Sequence, residues 1–314
     1  MLRYRADIRT LAYLAAMCVV FATLWTFGYD AAAGRFNWSA TAPLLPALLL
    51  LSVADAVIAH NHNHVSIFTN RWANLGVGYV ISFFYGFPAF GWIPTHNMNH
   101  HHYNNRPGDY SITTRPLRKV SIFAEALYPS VVSTTQTRLM WPFVRRSWTT
   151  NRFLFWRAIS ESVFFYGAVI GLFVLAWPHW EKWVVFVILP QQSSLFFIQS
   201  FNYMQHFETN AESRWDHSRN FTGGLLNAFL FNNGFHTVHH EKPGVHWSLN
   251  RSEHEKIAPL MEPRLNQPNA FTFWFGRFVR DPLTGVRSPY RTIPADTTFE
   301  TVHATLPANA IHDE

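Results

Sequence analysis

Most of the seventeen histidines in this chain fall in four short clusters, and imidazole is the commonest protein ligand for a transition metal. The first cluster is His60-Asn61-His62-Asn63-His64. On a helix, residues four apart share a face, so His60 and His64 can meet one ion while His62 points away. The second is His96-Asn97-Met98-Asn99-His100-His101-His102. Here His96 and His100 share a face, and His101 lies about 100° round the helix, within reach of a second ion. The third, Asn202-Tyr203-Met204-Gln205-His206, repeats the i, i+4 spacing. The fourth, His236-Thr237-Val238-His239-His240, has an i, i+3 pair plus its neighbour.

Together the clusters offer the imidazoles of His60, His64, His96, His100, His101, His206, His236, His239 and His240, with the carboxamide of Asn202 beside them. One ion takes about four to six donors, so this set implies two metals. Imidazole suits iron, zinc, copper or nickel. Carboxylates are nearly absent from the clusters; Glu208 and Glu241 are adjacent but out of pattern. Zinc-assisted hydrolysis would want the glutamate of an HExxH helix, which the clusters lack. The isolated His179, His303 and His312 read as ordinary polar residues.

Composition describes the elements that must hold these clusters. Hydrophobic residues are 48% of the 314 residues and charged residues only 14%, against about 25% in soluble proteins. A mean hydropathy of −0.03 then means that the apolar residues are gathered in blocks. Aromatic residues reach 17%, with 13 Trp, as suits a membrane–water interface. The net charge of +6 fits anionic headgroups on the cytoplasmic side, and no nucleic-acid recognition motif accompanies it. The single Cys18 rules out an intrachain disulfide framework, a cysteine zinc site and a built-in iron–sulfur or rubredoxin-like module.

The blocks read as helices. Arg3, Arg5 and Arg9 precede an apolar run over 11–27, and no small-residue cleavage site precedes Tyr29, so this is a first span rather than a signal peptide. A second run, 43–59, is interrupted only by Ser52 and Asp55 and ends on His60. Both are about 17 residues, the short end for crossing a bilayer. The stretch 73–93 is apolar but carries Gly76, Gly78, Gly86, Pro88 and Gly91. It also joins two clusters that must meet, so it reads as a re-entrant or interfacial segment. From 102 to 157 the chain is polar and basic (Arg115, Arg118, Lys119, Arg138, Arg145, Arg146, Arg152, Arg157), which marks a cytoplasmic segment. Runs 162–177 and 183–201 form a transmembrane hairpin about the turn 178–182, with Trp177, Trp180 and Trp183 at its interface. Four crossings put both termini and every histidine cluster on the cytoplasmic side. A metal-storage tract is the blander reading, but four clusters sharing the side chosen by charge argue for a built site. Residues 1–291 read as a single membrane domain without internal repeats, and 292–314 as a loosely ordered tail.

In this order the clusters resemble the histidine boxes of the membrane fatty-acid desaturase and hydroxylase superfamily. The likeness runs from His60 to about Trp247. The HxxxH box is matched by His60 and His64, the Hxx(x)HH box by His96, His100 and His101, and the HxxHH box by His236, His239 and His240. Asn202 to His206 resembles the NxxxH element of acyl desaturases, whose asparagine reaches a metal through water. Asn233 to Trp247, including Pro243 and His246, resembles the third box of the desaturase branch. The three residues between His96 and His100 instead match alkane hydroxylases and some desaturases, and His62 and His102 are extra.

The resemblance implies an all-α membrane fold, four transmembrane helices with a helical cytosolic cap holding two irons. It implies dioxygen as co-substrate and hydrogen removal from a methylene of a fatty-acyl chain, whether free, carrier-bound or lipid-bound. Desaturation is the first reading and hydroxylation of an acyl chain or hydrocarbon the second; a non-catalytic metal-binding membrane protein is the reading from another class. With no cytochrome b5-like HPGG and no cysteine module, electrons are expected from a separate donor such as a ferredoxin, docking on the basic face from Arg115 to Arg157.

Overall fold

The computed structural model describes residues 1–114 and 121–284. Arg115, Arg118 and Lys119 of the expected basic face, and the expected tail with His303 and His312, lie outside the described residues. The longer helices are α1 (Asp7–Phe27), α2 (Trp38–His64), α3 (Arg71–Tyr85), α4 (Ala89–Tyr103), α5 (Ile122–Gln136), α6 (Met140–Thr150), α7 (Arg152–Ala176) and α8 (Trp180–His206). Short helices α9 (Gly224–Phe229), α10 (His236–Glu241), α11 (Asn250–Ile257) and α12 (Ala270–Phe275) follow. Strands among the described residues are two residues long. Tyr29–Asp30 pairs antiparallel with Arg35–Phe36, and Asn220–Phe221 runs parallel to Asn266–Gln267.

Two compact units contain these elements, Met1–Trp92 with Val144–Ile198, and Ile93–Phe143 with the described residues from Gln199 onward. In the first, α1 packs on α2, α2 on α3, and α3 on α7. Among the described residues, four helices are long and apolar enough to cross a bilayer: α1, α2, α7 and α8. Their outer faces carry Val19, Leu50, Val163, Ile170, Val174 and Leu175, all exposed, which suits lipid rather than water. The chain is an all-α integral membrane protein, as the apolar runs led one to expect. The spans are longer than the runs. Because α2 and α8 continue through polar residues, His64 and His206 are each the last residue of a membrane helix.

The expected re-entrant stretch is a broken helix. Asn70 starts α3 by accepting from the N–H groups of Trp72 (2.8 Å) and Ala73 (3.1 Å). Gly86 ends it at φ +86°, where a Cβ would lie 2.7 Å from Cβ of Gln191, so only glycine fits. Pro88 follows, and the helical run resumes from Ala89 at 88° to α3.

In the second unit the loop before α10 is locked by its own amides. The Phe221 N–H donates to Gly234 O (2.8 Å), and the Gly234 N–H donates to Asn227 Oδ1 (3.0 Å). A Cβ at Gly234 would lie 2.1 Å from Phe221 O, which makes glycine obligatory there. Asn220 accepts from the Thr237 N–H and donates to its hydroxyl, both at 3.0 Å, fixing the first turn of α10.

Candidate metal centre

Three helices of the second unit bring seven histidines together. His100 from α4, His206 at the end of α8, and His236 and His240 from α10 offer ring nitrogens all within 4.8 Å of one another. The Nε2 separations are 3.1 Å for His100–His206, 2.8 Å for His206–His236 and 3.1 Å for His236–His240. Beside this tetrad stands a triad. His96, His101 and His239 meet through Nε2 atoms at 3.1 Å (His96–His239), 3.1 Å (His96–His101) and 2.9 Å (His101–His239). The rings of His101 and His240 stack at 4.4 Å, so the two clusters are immediate neighbours.

These groupings correct two expected pairings. The segment Ile93–His100 is a π-helix, closing its hydrogen bonds from i to i+5. Each turn then takes more than four residues, so i+4 and i+5 fall on either side of residue i, and both neighbours are within its reach. His96 therefore joins His101, and His100 joins the other cluster, although the His96 and His100 rings stack at 5.1 Å. On α10 the working pair is His236 with His240, four apart, rather than His236 with His239.

Chemistry identifies what such a group can hold. Three mutually facing Nε2 atoms cannot all be satisfied by one another, because each contact needs a proton on one side and a lone pair on the other. A shared cation removes the conflict: at metal–nitrogen distances of about 2.0–2.1 Å, neighbouring donors lie about 2.8–3.4 Å apart. Both clusters fit that spacing. Burial, then the neighbouring His101 and His236, holds His240 well below the ordinary imidazole range, so the ring is neutral and free to ligate.

Asp109 is a functional residue that spacing did not single out. Fully buried, its Oδ2 lies 2.8 Å from His100 Nδ1 and accepts from the Asn105 N–H (2.8 Å). Its Oδ1 accepts from the Ser111 N–H (2.7 Å) and hydroxyl (2.6 Å). Burial alone would push this carboxyl up, but His100 and the hydrogen bonds outweigh it and hold it below its usual range. A proton on His100 Nδ1 leaves Nε2 as a lone pair facing the cluster, the orientation a carboxylate gives a ligating histidine. The sequence did carry one signal: Asp109 is the only carboxylate between Asp55 and Glu125.

Asn202 is half-buried one turn before His206, and its Nδ2 donates to the Tyr128 hydroxyl at 2.9 Å. Tyr128 gives its own proton to the Ser111 carbonyl. The phenol can then only accept from Asn202, which leaves the carboxamide oxygen available as an acceptor. The end of α8 is held by buried Arg219, which donates to the carbonyls of Met204 (2.5 Å) and Phe207 (3.2 Å). Burial lowers the Arg219 pKa to about 9. A further histidine missed by spacing, His217, is buried with its ring 5.3 Å from His240, and burial lowers it to about 4.

The remaining box lies in the first unit. His60 and His64 occupy the last turns of α2 with ring centroids 5.1 Å apart, and His60 packs on Trp92. His62 is buried away from them, its Nδ1 3.5 Å from the Ile67 N–H. His102 is exposed and meets the Tyr103 ring edge to face. Neither belongs to a cluster.

Fold and site together define a helical membrane protein with adjoining histidine clusters that could hold metal. The chain matches the family model for fatty acid desaturase over residues 36–269 and belongs to that family. It is therefore an oxidoreductase of the desaturase and hydroxylase type, acting on fatty acids. No curated protein matches it.

Proposed function

We propose that this protein desaturates a fatty-acyl chain at a di-iron centre, using dioxygen and an external electron donor such as a ferredoxin. The observation that carries the reading is the pair of adjoining histidine clusters, too rich in nitrogen for one ion. His100, His206, His236 and His240 would hold one iron. His96, His101 and His239 would hold the other, and His60 and His64 would be further metal ligands, as the resemblance to the family's first box implies. Asn202 would contact the centre through water, which its available oxygen supports. Reduced iron supplies the dioxygen chemistry that an unactivated methylene requires. The balance is one dioxygen, two electrons and two protons consumed for each alkene formed, with two hydrogens lost from adjacent carbons and two waters released.

Residues 1–291 would form the catalytic domain, with both termini and the metal site cytoplasmic. Topology reporters at the C-terminus should then read cytoplasmic and reporters at Gly34 or Glu181 external; the reverse would overturn the orientation. Hydroxylation is the second reading, favoured by the three-residue spacing between His96 and His100. Saturated acyl substrate deuterated at successive carbons, given with labelled dioxygen and a working donor, separates the two. Desaturation predicts a product lacking one hydrogen at each of two neighbouring carbons. An alcohol carrying label as the main product would replace this reading with hydroxylation. Bound metal with no donor-dependent oxygen uptake would mark a non-catalytic protein.

A further inference from the structure

The first unit contains a buried charge whose contacts converge on the first histidine box. Glu161, on α7, is fully buried. Its Oε1 accepts from Arg157 Nε at 2.8 Å, and its Oε2 accepts from the backbone N–H of Phe90 at 2.6 Å, just past the break between α3 and α4. Arg157 reaches on: its Nη2 donates to Oδ1 of Asn63 at 2.8 Å. Asn63 in turn donates through Nδ2 to the Ala59 carbonyl at 2.8 Å. Space has been kept for the carboxylate, since a Cβ at Gly78 would lie 2.8 Å from Glu161 Oε1.

A buried ion pair is weak evidence for stability, because apolar residues of similar volume often do as well. Its contacts point to another role. Asn63 lies between His62 and His64, and Ala59 directly precedes His60. The last turn of a helix has unpaired carbonyls and frays, and a cation there is favourable. Here the guanidinium reaches that turn through a side chain fixed at both of its polar atoms. A metal site needs its donors held to within about 0.5 Å, which a fraying turn would not provide.

We propose that Glu161 and Arg157 are positioning residues for the His60/His64 pair, clamping the last turn of α2 through Asn63 so that both imidazoles serve one metal. The other oxygen of Glu161 ties the same clamp to the start of α4. This inference rests on the reading that His60 and His64 bind metal.

The test is metal stoichiometry of the full-length protein purified in detergent and loaded with Fe²⁺ or, for its absorption spectrum, Co²⁺. Wild type should hold about two ions per chain. Asn63→Ala leaves the Glu161–Arg157 pair intact and should weaken one of the two sites by about 10–100-fold, the range for partners behind a ligand, with little change in the metal-free Tm. Glu161→Gln and Gly78→Ala should weaken the same site, the latter by displacing the carboxylate without removing charge. If Glu161→Gln does not fold, Asn63→Ala decides. Two ions bound with wild-type affinity in Asn63→Ala would overturn the proposal. A wild type that takes up no metal would overturn the metal-centre reading itself, and the clamp with it.

Discussion

Helices α2 and α4 both carry an HxxxH sequence, and the two behave differently. On α2, a regular α-helix to its last residue, His60 and His64 remain a pair. On α4, the π-helical stretch sends His96 to one cluster and His100 to the other. The same spacing therefore keeps two imidazoles together in the first case and divides them between two clusters in the second. A π turn inside an α-helix is rare and frequently lies at a functional site. Here it lets one short segment, His96 to His101, supply both clusters.

The sharpest way to break this comparison is to remove one ligand from each cluster. His100→Ala and His96→Ala should each lower activity by more than about a hundredfold, beyond the range for partners behind a ligand. They should lose different ions, so the Co²⁺ spectra of the two variants should be complementary. Loss of the same ion in both would mean that the π-helical split does not operate in solution. His240→Ala should behave as His100→Ala does.

A smaller effect is expected at Asp109. Asp109→Asn keeps the size but removes the charge that orients His100, and should cost about 10–100-fold in metal affinity or activity, confined to the His100 ion. An equal loss at both ions would point to general loosening of the loop. Asn202→Ala comes next. It should retain about two metals while product falls relative to oxygen consumed, and Tyr128→Phe should move in the same direction by freeing the carboxamide to turn. Full coupling in Asn202→Ala would leave that residue as a helix-end polar group. The smallest effect belongs to His62→Ala. It leaves the Ile67 N–H without its distant acceptor, costing at most roughly 1–3 kcal/mol of stability, with activity per folded chain nearly unchanged. A large activity loss there would bring His62 into the site.

Much of this was legible in the chain because it depends on local pattern. Apolar runs found the four spans, since a bilayer demands length and hydrophobicity from contiguous residues. Glycines and Pro88 marked the broken segment for the same local reason. The residues gathered in the two clusters of the second unit were all among those picked by spacing. What spacing misassigned was partnership within the boxes: on α4 it depends on whether the backbone closes from i to i+4 or to i+5, and on α10 on which rings the fold brings alongside, and composition reveals neither.

Residue order was enough to mark a membrane protein with an excess of clustered imidazoles near the ends of its apolar helices. Which nitrogens face one another, that Asp109 stands behind His100, and that Glu161 and Arg157 converge on Asn63 became visible in the folded chain. Some of these contacts join residues far apart in the chain: 94 positions separate Arg157 from Asn63. Sequence pattern reports the period of one element at a time. A carboxylate finds its partner only once several elements have closed around it and excluded water, and that is a property of the folded chain.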